Sequence, residues 1–158
     1  MKRLSLRGAG ALALVLASCS RGPAPPAALD PRNETCAWCR MSVSDPRLAA
    51  QLAAPAGESK FFDDIGCLRD YLVHASGRPE GLIAYVADHR TKEWVPAARA
   101  FFMKCLTVET PMGSHLLAHA DATSRDADPD AYGGTPVTAA DIFGPAGPPG
   151  AAPAKERK

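Results

Sequence analysis

The stretch KFFDDIGCLRDYLVHASGRP, residues 60–79, indicates a strand that runs directly into a helix. Lys60 to Asp63 favour an extended chain, and Asp64 is a favourable N-cap residue for the helix that follows. Gly77 and Pro79 end the helical pattern. The apolar side chains recur at helical spacing, at Ile65, Leu68, Tyr71, Leu72 and Ala75. The sequence therefore predicts an amphipathic helix that begins at about residue 65.

Strand-like segments and turns alternate on both sides of this unit. The other predicted elements are strands at residues 40–43, 48–53, 82–87, 93–103 and 116–120 and weaker helices at residues 122–132 and 138–143. Pro96 lies inside one predicted strand, which favours a sheet edge or a bulge. We predict an α+β fold of two small tandem strand-strand-helix modules, about residues 35–78 and 79–143, with mainly antiparallel sheet.

The N-terminal segment has the layout of a bacterial lipoprotein signal. Basic residues are followed by an apolar run at residues 9–17, which is too short to span a bilayer as a stable helix. The tetrapeptide LASC, residues 16–19, is a lipobox, so we expect cleavage before Cys19 and acylation of Cys19. Acyl chains hold a protein on a membrane without a spanning helix. We therefore predict a lipoprotein on the periplasmic side of a bacterial membrane, either inner or outer.

The predicted folded region, residues 35–143, lies between segments of low hydrophobicity. Residues 1–18 are the predicted signal peptide, residues 19–34 a lipidated, proline-rich tether, and residues 144–158 a disordered tail. Without the signal the chain has 15 basic and 17 acidic residues, a formal charge of −2. No basic excess remains to neutralise phosphates, which argues against nucleic acid as a partner.

Two thiols and a thioether lie within CAWCRM, residues 36–41. Soft sulfur donors select Cu(I), while thiolates also serve zinc and iron–sulfur clusters. Cys39 and Met41 are two residues apart, so a strand would place both on one face, where they can hold one ion. The alternative is a disulfide between Cys36 and Cys39, with Met41 filling the core. These six residues alone favour neither interpretation.

The segment TPMG, residues 110–113, supplies a second candidate ligand. Met112 lies between Pro and Gly in a predicted turn, where core packing needs it least. Only Met41, Met103 and Met112 remain after removal of the signal, which excludes a methionine-rich copper-binding tail. His115 is close enough in sequence to Met112 to be an auxiliary or transient ligand.

The other histidines give weaker indications. His115 and His119, with the two cysteines of CAWCRM, imitate a zinc-finger quartet. The 75 residues between Cys39 and His115 are far more than the roughly 12–15 of a finger, so this interpretation is poor. His74 and His89 are expected at the surface.

The remaining acidic and thiol side chains are expected to be structural. Asp63 and Asp64 precede the helix, where capping is favoured over acid–base catalysis. Cys67, in the first turn of the helix, is a candidate third thiol at the metal, but packing in the core is favoured, and Cys105 has no motif around it. Four cysteines in an oxidising compartment indicate two disulfides by default. Because no catalytic triad, phosphate loop or dinucleotide fingerprint is found, we predict that the protein is not an enzyme.

Five blocks of the sequence occur in a fairly specific order and spacing. They are the lipobox, CAWCRM (36–41), KFFDDIGCLRDYL (60–72), AYVADHRTKEWVPAARAFF (84–102) and TPMG (110–113). Together they resemble the nitrous oxide reductase accessory lipoprotein family, NosL. The resemblance implies two small β-α modules in tandem and the function of a Cu(I) chaperone for the copper–sulfide centre of nitrous oxide reductase. It also implies assembly partners, namely a periplasmic protein on an ABC-type transporter and the reductase itself.

The resemblance further implies which residues bind copper. Cys39, Met41 and Met112 would be the ligands, and Cys36 and Cys67 would be family-pattern cysteines. The chain departs from the family in having Arg40 where glycine is usual. It also has Ser and His after TPMG where more glycine is expected, and an extra thiol at residue 105.

The predicted function is that of a membrane-anchored periplasmic Cu(I) chaperone in denitrification. Cys39 would be the essential anionic ligand, and the two thioethers would favour Cu(I) over Cu(II) or zinc. Two alternatives stay open. One is a lipid-anchored thiol–disulfide oxidoreductase that uses Cys36 and Cys39, and the other is a structural lipoprotein with two disulfides.

Overall fold

A computed structural model of the chain describes residues 24–55, 57–75 and 81–150. The predicted signal peptide, the lipobox with Cys19 and the helix-ending residues 77–79 lie outside these ranges. Among the residues that the structure describes, no helix is both long and apolar enough to cross a membrane.

In the described part of the chain, seven short strands form two separate antiparallel sheets. The first sheet has the order β2-β1-β3-β4, and its strands are β1 (Ala50–Ala53), β2 (Lys60–Phe62), β3 (Ile83–Ala87) and β4 (Trp94–Pro96). The second has the order β6-β5-β7, with β5 (Phe101–Lys104), β6 (Leu116–His119) and β7 (Thr135–Val137). Pro96 lies in an edge strand, as predicted, since an edge strand tolerates the missing N–H.

The helix predicted after residue 64 is α1 (Ile65–His74), and Asp64 is its N-cap. The Asp64 carboxylate accepts a hydrogen bond from the backbone N–H of Gly66. The single helix predicted at residues 122–132 is instead divided into α2 (Ala122–Asp126) and one 3₁₀ turn, Pro129–Ala131. Asp128 caps that turn, and Pro129 cannot continue an α-helix.

The last helix, α3 (Ala139–Phe143), begins with a capping box between Thr138 and Asp141. One main core joins both sheets to α1 and α3. Its buried members include Leu52, Phe62, Leu68, Phe102 and Phe143. The α+β class with antiparallel sheets is therefore confirmed.

The chain passes from one sheet to the other between β4 and β5. β3 and β4 hydrogen-bond into the sheet of β1 and β2, so the predicted boundary at residues 78 and 79 falls within the part of the chain that forms the first sheet. The segment predicted as one strand at residues 93–103 contributes β4 to the first sheet and β5 to the second.

Both flanking segments contact the first sheet where the structure describes them. The hydroxyl of Tyr85 donates to the carbonyl of Ala24 at 2.8 Å, and the side chain of Gln51 bonds both backbone groups of Ala27. Ala84 N–H donates to the carbonyl of Pro149 at 3.0 Å. Residues 24–34 of the predicted tether and 144–150 of the predicted tail are thus anchored on β1 and β3.

A single carboxylate links the two sheets. Asp88, directly after β3, accepts bonds from Arg90 N (3.0 Å) and Thr91 N (2.9 Å) of its own turn. It also accepts from Ala120 N at 2.7 Å and Ser124 Oγ at 3.0 Å, which follow β6. Burial alone would raise the pKa of Asp88, but these donors lower it to about 2. The ionised carboxylate therefore holds the end of β3 against the end of β6.

Candidate metal centre

The CAWCRM segment forms a tight turn, so the strand predicted at residues 40–43 is reduced to an isolated antiparallel bridge between Ser42 and Thr35. Cys36 N donates to the carbonyl of Met41 at 2.8 Å, and Arg40 N donates to that of Cys36 at 3.1 Å. Arg40 has a φ of 69°, in the left-handed region. Cys39 and Met41 are thus brought to the same turn by a reversal of the chain, rather than by the alternation of a strand.

We expect Arg40→Gly to raise the free energy of unfolding by about 0.5–1 kcal/mol. A residue with a Cβ is strained in the left-handed conformation, whereas glycine adopts it freely. Urea unfolding measures the change. Arg40→Ala is the matched control, because it removes the same guanidinium and keeps the Cβ. Equal stabilisation by both substitutions would show that the charge, not the backbone, is responsible.

This turn lies against β2 and the start of α1. Ala37 N donates to the carbonyl of Phe61 at 2.8 Å, and Cys39 Sγ donates to the carboxylate of Asp63 at 3.3 and 3.4 Å. The first turn of α1 adds the thiol of Cys67. The potential ligand atoms of Cys36, Cys39, Asp63 and Cys67 all lie within 4.8 Å of one another. We name these four residues the thiol cluster.

One expectation about the thiol cluster needs correction, and both roles considered for Cys67 agree with its position. Asp63 is not a cap, since its carboxylate faces Cys39 and only Asp64 caps α1. Cys67 is buried in the core as predicted, but its sulfur also belongs to the group of potential ligands. No local spacing predicts that Asp63 and Cys67 meet Cys39, because this depends on the docking of the CAWCRM turn against β2 and α1.

Burial controls the protonation of the thiol cluster. Burial is the main cause that raises the pKa of Cys39 to about 11; the backbone hydrogen bond of Met41 opposes this rise, and Cys36 and Asp63 contribute to it. Burial likewise raises the pKa of Cys67. Both thiols therefore keep their protons at neutral pH without a cation, and a bound metal ion would displace them.

The TPMG turn meets the same helix terminus. Met112 N donates to the second carboxylate oxygen of Asp64 at 3.0 Å. A Cβ added to Gly66 would lie 2.9 Å from the Cβ of Ser114, so glycine permits the turn to approach α1 closely. The side chains of Met41 and Met112 are 41% and 51% exposed. Asp63 and Asp64 thus bring the predicted ligands Cys39 and Met112 to one end of α1, and Met41 lies in the turn that holds Cys39.

His115 and His74 lie near the thiol cluster but outside it, whereas His89 is buried in the turn after β3. His115 lies outside the thiol cluster, and its Nδ1 bonds the carbonyl of Val108 at 2.8 Å. His74 is exposed, as predicted, and its ring lies 4.9 Å from that of Trp38. His89 is only 2% exposed, so the surface position predicted for it is wrong. Its backbone N–H donates to a carbonyl of β6, which draws the turn inward.

All four cysteines in the described part of the chain are free thiols. Cys105 lies in a separate apolar cluster with Leu48, Met103, Leu117 and Ala131. Cys105 therefore has a packing role. The two disulfides expected by default are not found among the described residues.

Comparison with known proteins gives one match. The model of the NosL family matches residues 26–144, which is 119 of the 158 residues and contains the whole thiol cluster and the TPMG turn. No curated protein and no solved structure was found to match the chain. On the extent of this match, the chain belongs to the NosL family.

Proposed function

We propose that the protein is a membrane-anchored periplasmic Cu(I) chaperone that delivers copper for the copper–sulfide centre of nitrous oxide reductase. The observation that carries the proposal is the meeting of the thiol cluster and the TPMG turn at one end of α1. Three thiols with thioethers nearby form a donor set that favours Cu(I). Membership of the NosL family supplies the copper and reductase context.

Cys39, Met41 and Met112 are the proposed ligands. Cys39 is the partly exposed thiol of the cluster, whereas Cys36 and Cys67 are buried. Met41 and Met112 are both about half exposed, so a partner can reach the sulfur atoms that hold the ion. Asp63 bonds Cys39 Sγ and thereby orients it.

Copper transfer then proceeds by ligand exchange. A thiolate and two thioethers leave Cu(I) with few ligands, so an acceptor's sulfur or imidazole can bind before the chaperone releases the ion. Cys36 and Cys67 lie within reach of the same position and can retain the ion when a thioether leaves. No covalent change in the protein is required, and the proposed role is not that of an enzyme.

Cys19 is the proposed lipid anchor, which would hold the domain on the periplasmic side of the membrane. The proposed acceptors are a periplasmic assembly protein on an ABC-type transporter and then the reductase. The redox alternative is disfavoured by the thiols themselves. Catalytic cysteines of C-x-x-C enzymes have lowered pKa values, whereas the pKa of Cys39 is raised.

We expect the reduced protein to hold one equivalent of Cu(I) against a chromophoric competitor under anaerobic conditions. Met112→Leu should weaken this binding by about 10-fold or more, which corresponds to roughly 1.4 kcal/mol, at nearly unchanged fold stability. The thioether is lost, but the half-exposed apolar volume is kept.

Met103→Leu is the matched control, because Met103 is buried in the separate apolar cluster around Cys105, which shares no residue with the thiol cluster. It makes the same chemical change and should leave the Cu(I) affinity unaltered. Equal affinities in both variants would remove Met112 from the ligand set. Absence of competition by the unmodified protein would overturn the chaperone proposal.

A further inference from the structure

A second group of potential metal ligands lies apart from the thiol cluster. It consists of His89 in the turn after β3, His119 at the end of β6, and Asp128 before the 3₁₀ turn. Three different segments supply these residues, and 39 positions separate the first from the last. The predicted copper site uses none of them, although His89 lies within the 84–102 block that carries the resemblance to NosL.

The three side chains converge on one point. His89 Nδ1 lies 2.7 Å and His119 Nε2 lies 2.9 Å from the same oxygen, Asp128 Oδ2. The two rings meet edge to face with centroids 6.4 Å apart. All three residues are buried, and their donor atoms lie within 4.8 Å of one another. Such a convergence of two imidazoles and a carboxylate is a donor set for borderline divalent cations.

Hydrogen bonding alone leaves this buried group incompletely satisfied. His89 Nε2 and His119 Nδ1 are buried and have no hydrogen-bond partner among the described residues. A buried polar atom without a partner costs about 1–3 kcal/mol, so the hydrogen bonds to Asp128 do not make this a fully satisfied structural network. An ion at the shared oxygen would bond the opposite ring nitrogens, and the case for it rests on their convergence with Asp128.

The surrounding charge favours a cation. Asp130 Oδ2 lies 4.0 Å from His89 Nε2, and Asp45 also lies within electrostatic range of His89. Arg47 is the cation that pairs with these two carboxylates, at 2.8 Å from Asp45 and 3.7 Å from Asp130. The carboxylates of Asp45, Asp128 and Asp130 thus lie around the guanidinium of Arg47. A divalent cation would offset the remaining excess of negative charge.

A cavity borders the Asp128 side of the group. A cavity of about 240 Å³ reaches Asp128 and is lined by Met103, Arg125, Asp126 and Tyr132 together with small residues of the 131–134 segment. It is wide enough for an ion and for a water molecule as a further ligand.

We propose that His89, His119 and Asp128 form a second metal site, which binds a borderline divalent cation such as Zn²⁺. The ion bonds His89 Nδ1, His119 Nε2 and a carboxylate oxygen of Asp128. Each imidazole stays neutral, and its proton moves to the other ring nitrogen, which for His89 faces Asp130. Because its donors are nitrogen and oxygen, this site favours a divalent cation over Cu(I), whereas the sulfur donors of the thiol cluster favour Cu(I). The two sites therefore select different ions. The zinc ion crosslinks β3, β6 and the 3₁₀ turn.

The test uses Zn²⁺ and Co²⁺ with the reduced protein. Long-range ¹H–¹⁵N spectra report each imidazole nitrogen, and one equivalent of Zn²⁺ should shift His89 Nδ1 and His119 Nε2 to metal-bound values. Co²⁺ should give visible d–d bands that persist in the Cys36→Ser/Cys39→Ser/Cys67→Ser variant, because no thiolate binds it there. His119→Gln should lose these bands and keep its Cu(I) affinity.

Unchanged imidazole resonances in the unmodified protein would overturn the proposal, and this measurement needs no variant that might unfold. Co²⁺ binding that always shows sulfur-to-cobalt charge-transfer bands would also overturn the proposal, since the thiol cluster would then be the zinc site. Absence of Cu(I) binding together with metal-bound imidazole shifts on addition of Zn²⁺ would instead contradict only the chaperone proposal.

Discussion

Cys39→Ser is expected to lower the Cu(I) affinity of the protein by at least about 100-fold. Loss of residues that merely orient a metal ligand costs about 10- to 100-fold in affinity, so loss of the anionic ligand itself should cost more. Serine keeps the size and the hydrogen bond to Asp63 but is a hard, protonated donor that binds Cu(I) poorly. Anaerobic competition with a chromophoric Cu(I) ligand measures the loss.

Cys105→Ala is the matched control for the number of thiols. Its sulfur is buried among Leu48, Met103 and Leu117, so the substitution should lower the melting temperature slightly and leave Cu(I) affinity unchanged. Cu(I) binding that survives Cys39→Ser would exclude Cys39 as the essential ligand. Binding lost equally in both variants would show that general destabilisation, rather than ligand loss, is responsible.

The unit of β2 and α1 was predictable because its information is local. An N-cap aspartate, a helical apolar face and a preceding run of extended residues all lie within twenty positions. The structure follows them closely, with Asp64 as the cap and α1 beginning at Ile65. The strands near residues 50, 83 and 117 were also recognisable from their apolar composition.

The assignment of strands to sheets was not predictable in the same way. One continuous stretch supplies β4 and β5 to different sheets, and pairing partners are fixed by distant residues such as Asp88 and Ala120. The turn that presents Cys39 was missed for a similar reason. Arg40 adopts a left-handed conformation that its sequence does not favour, and the surrounding bonds to Cys36 and Phe61 impose it.

The candidate copper site was predicted only in part. The candidate ligands were found because CAWCRM and TPMG are compact motifs, although whether they bind copper stays a prediction. The places of Asp63 and Cys67 in the thiol cluster depend on the docking of the turn onto α1, which no local spacing reveals. His89 and Asp128 lie 39 positions apart, so their contact was likewise invisible.

Asp88→Ala is expected to lower the free energy of unfolding by about 3–5 kcal/mol. The carboxylate accepts bonds from Thr91, Ala120 and Ser124, and each buried donor left without an acceptor costs about 1–3 kcal/mol. The melting temperature should fall by roughly 10 °C or more. Asp70→Ala is the control, because the exposed pair of Asp70 with Arg69 contributes at most about 1 kcal/mol.

The same carboxylate gives the protein a pH dependence in a defined range. The pKa of Asp88 is about 2 in the folded state against an ordinary value of 3.8, so its contribution is complete only above about pH 5. It is lost as the pH falls towards 2, because the unfolded chain then binds the proton more readily. Denaturant unfolding at pH values from 6 to 2 should therefore show a steeper loss in the unmodified protein than in Asp88→Asn. Parallel curves would contradict the role of Asp88 as the ionised link between the two sheets, since the variant has no carboxylate there to titrate.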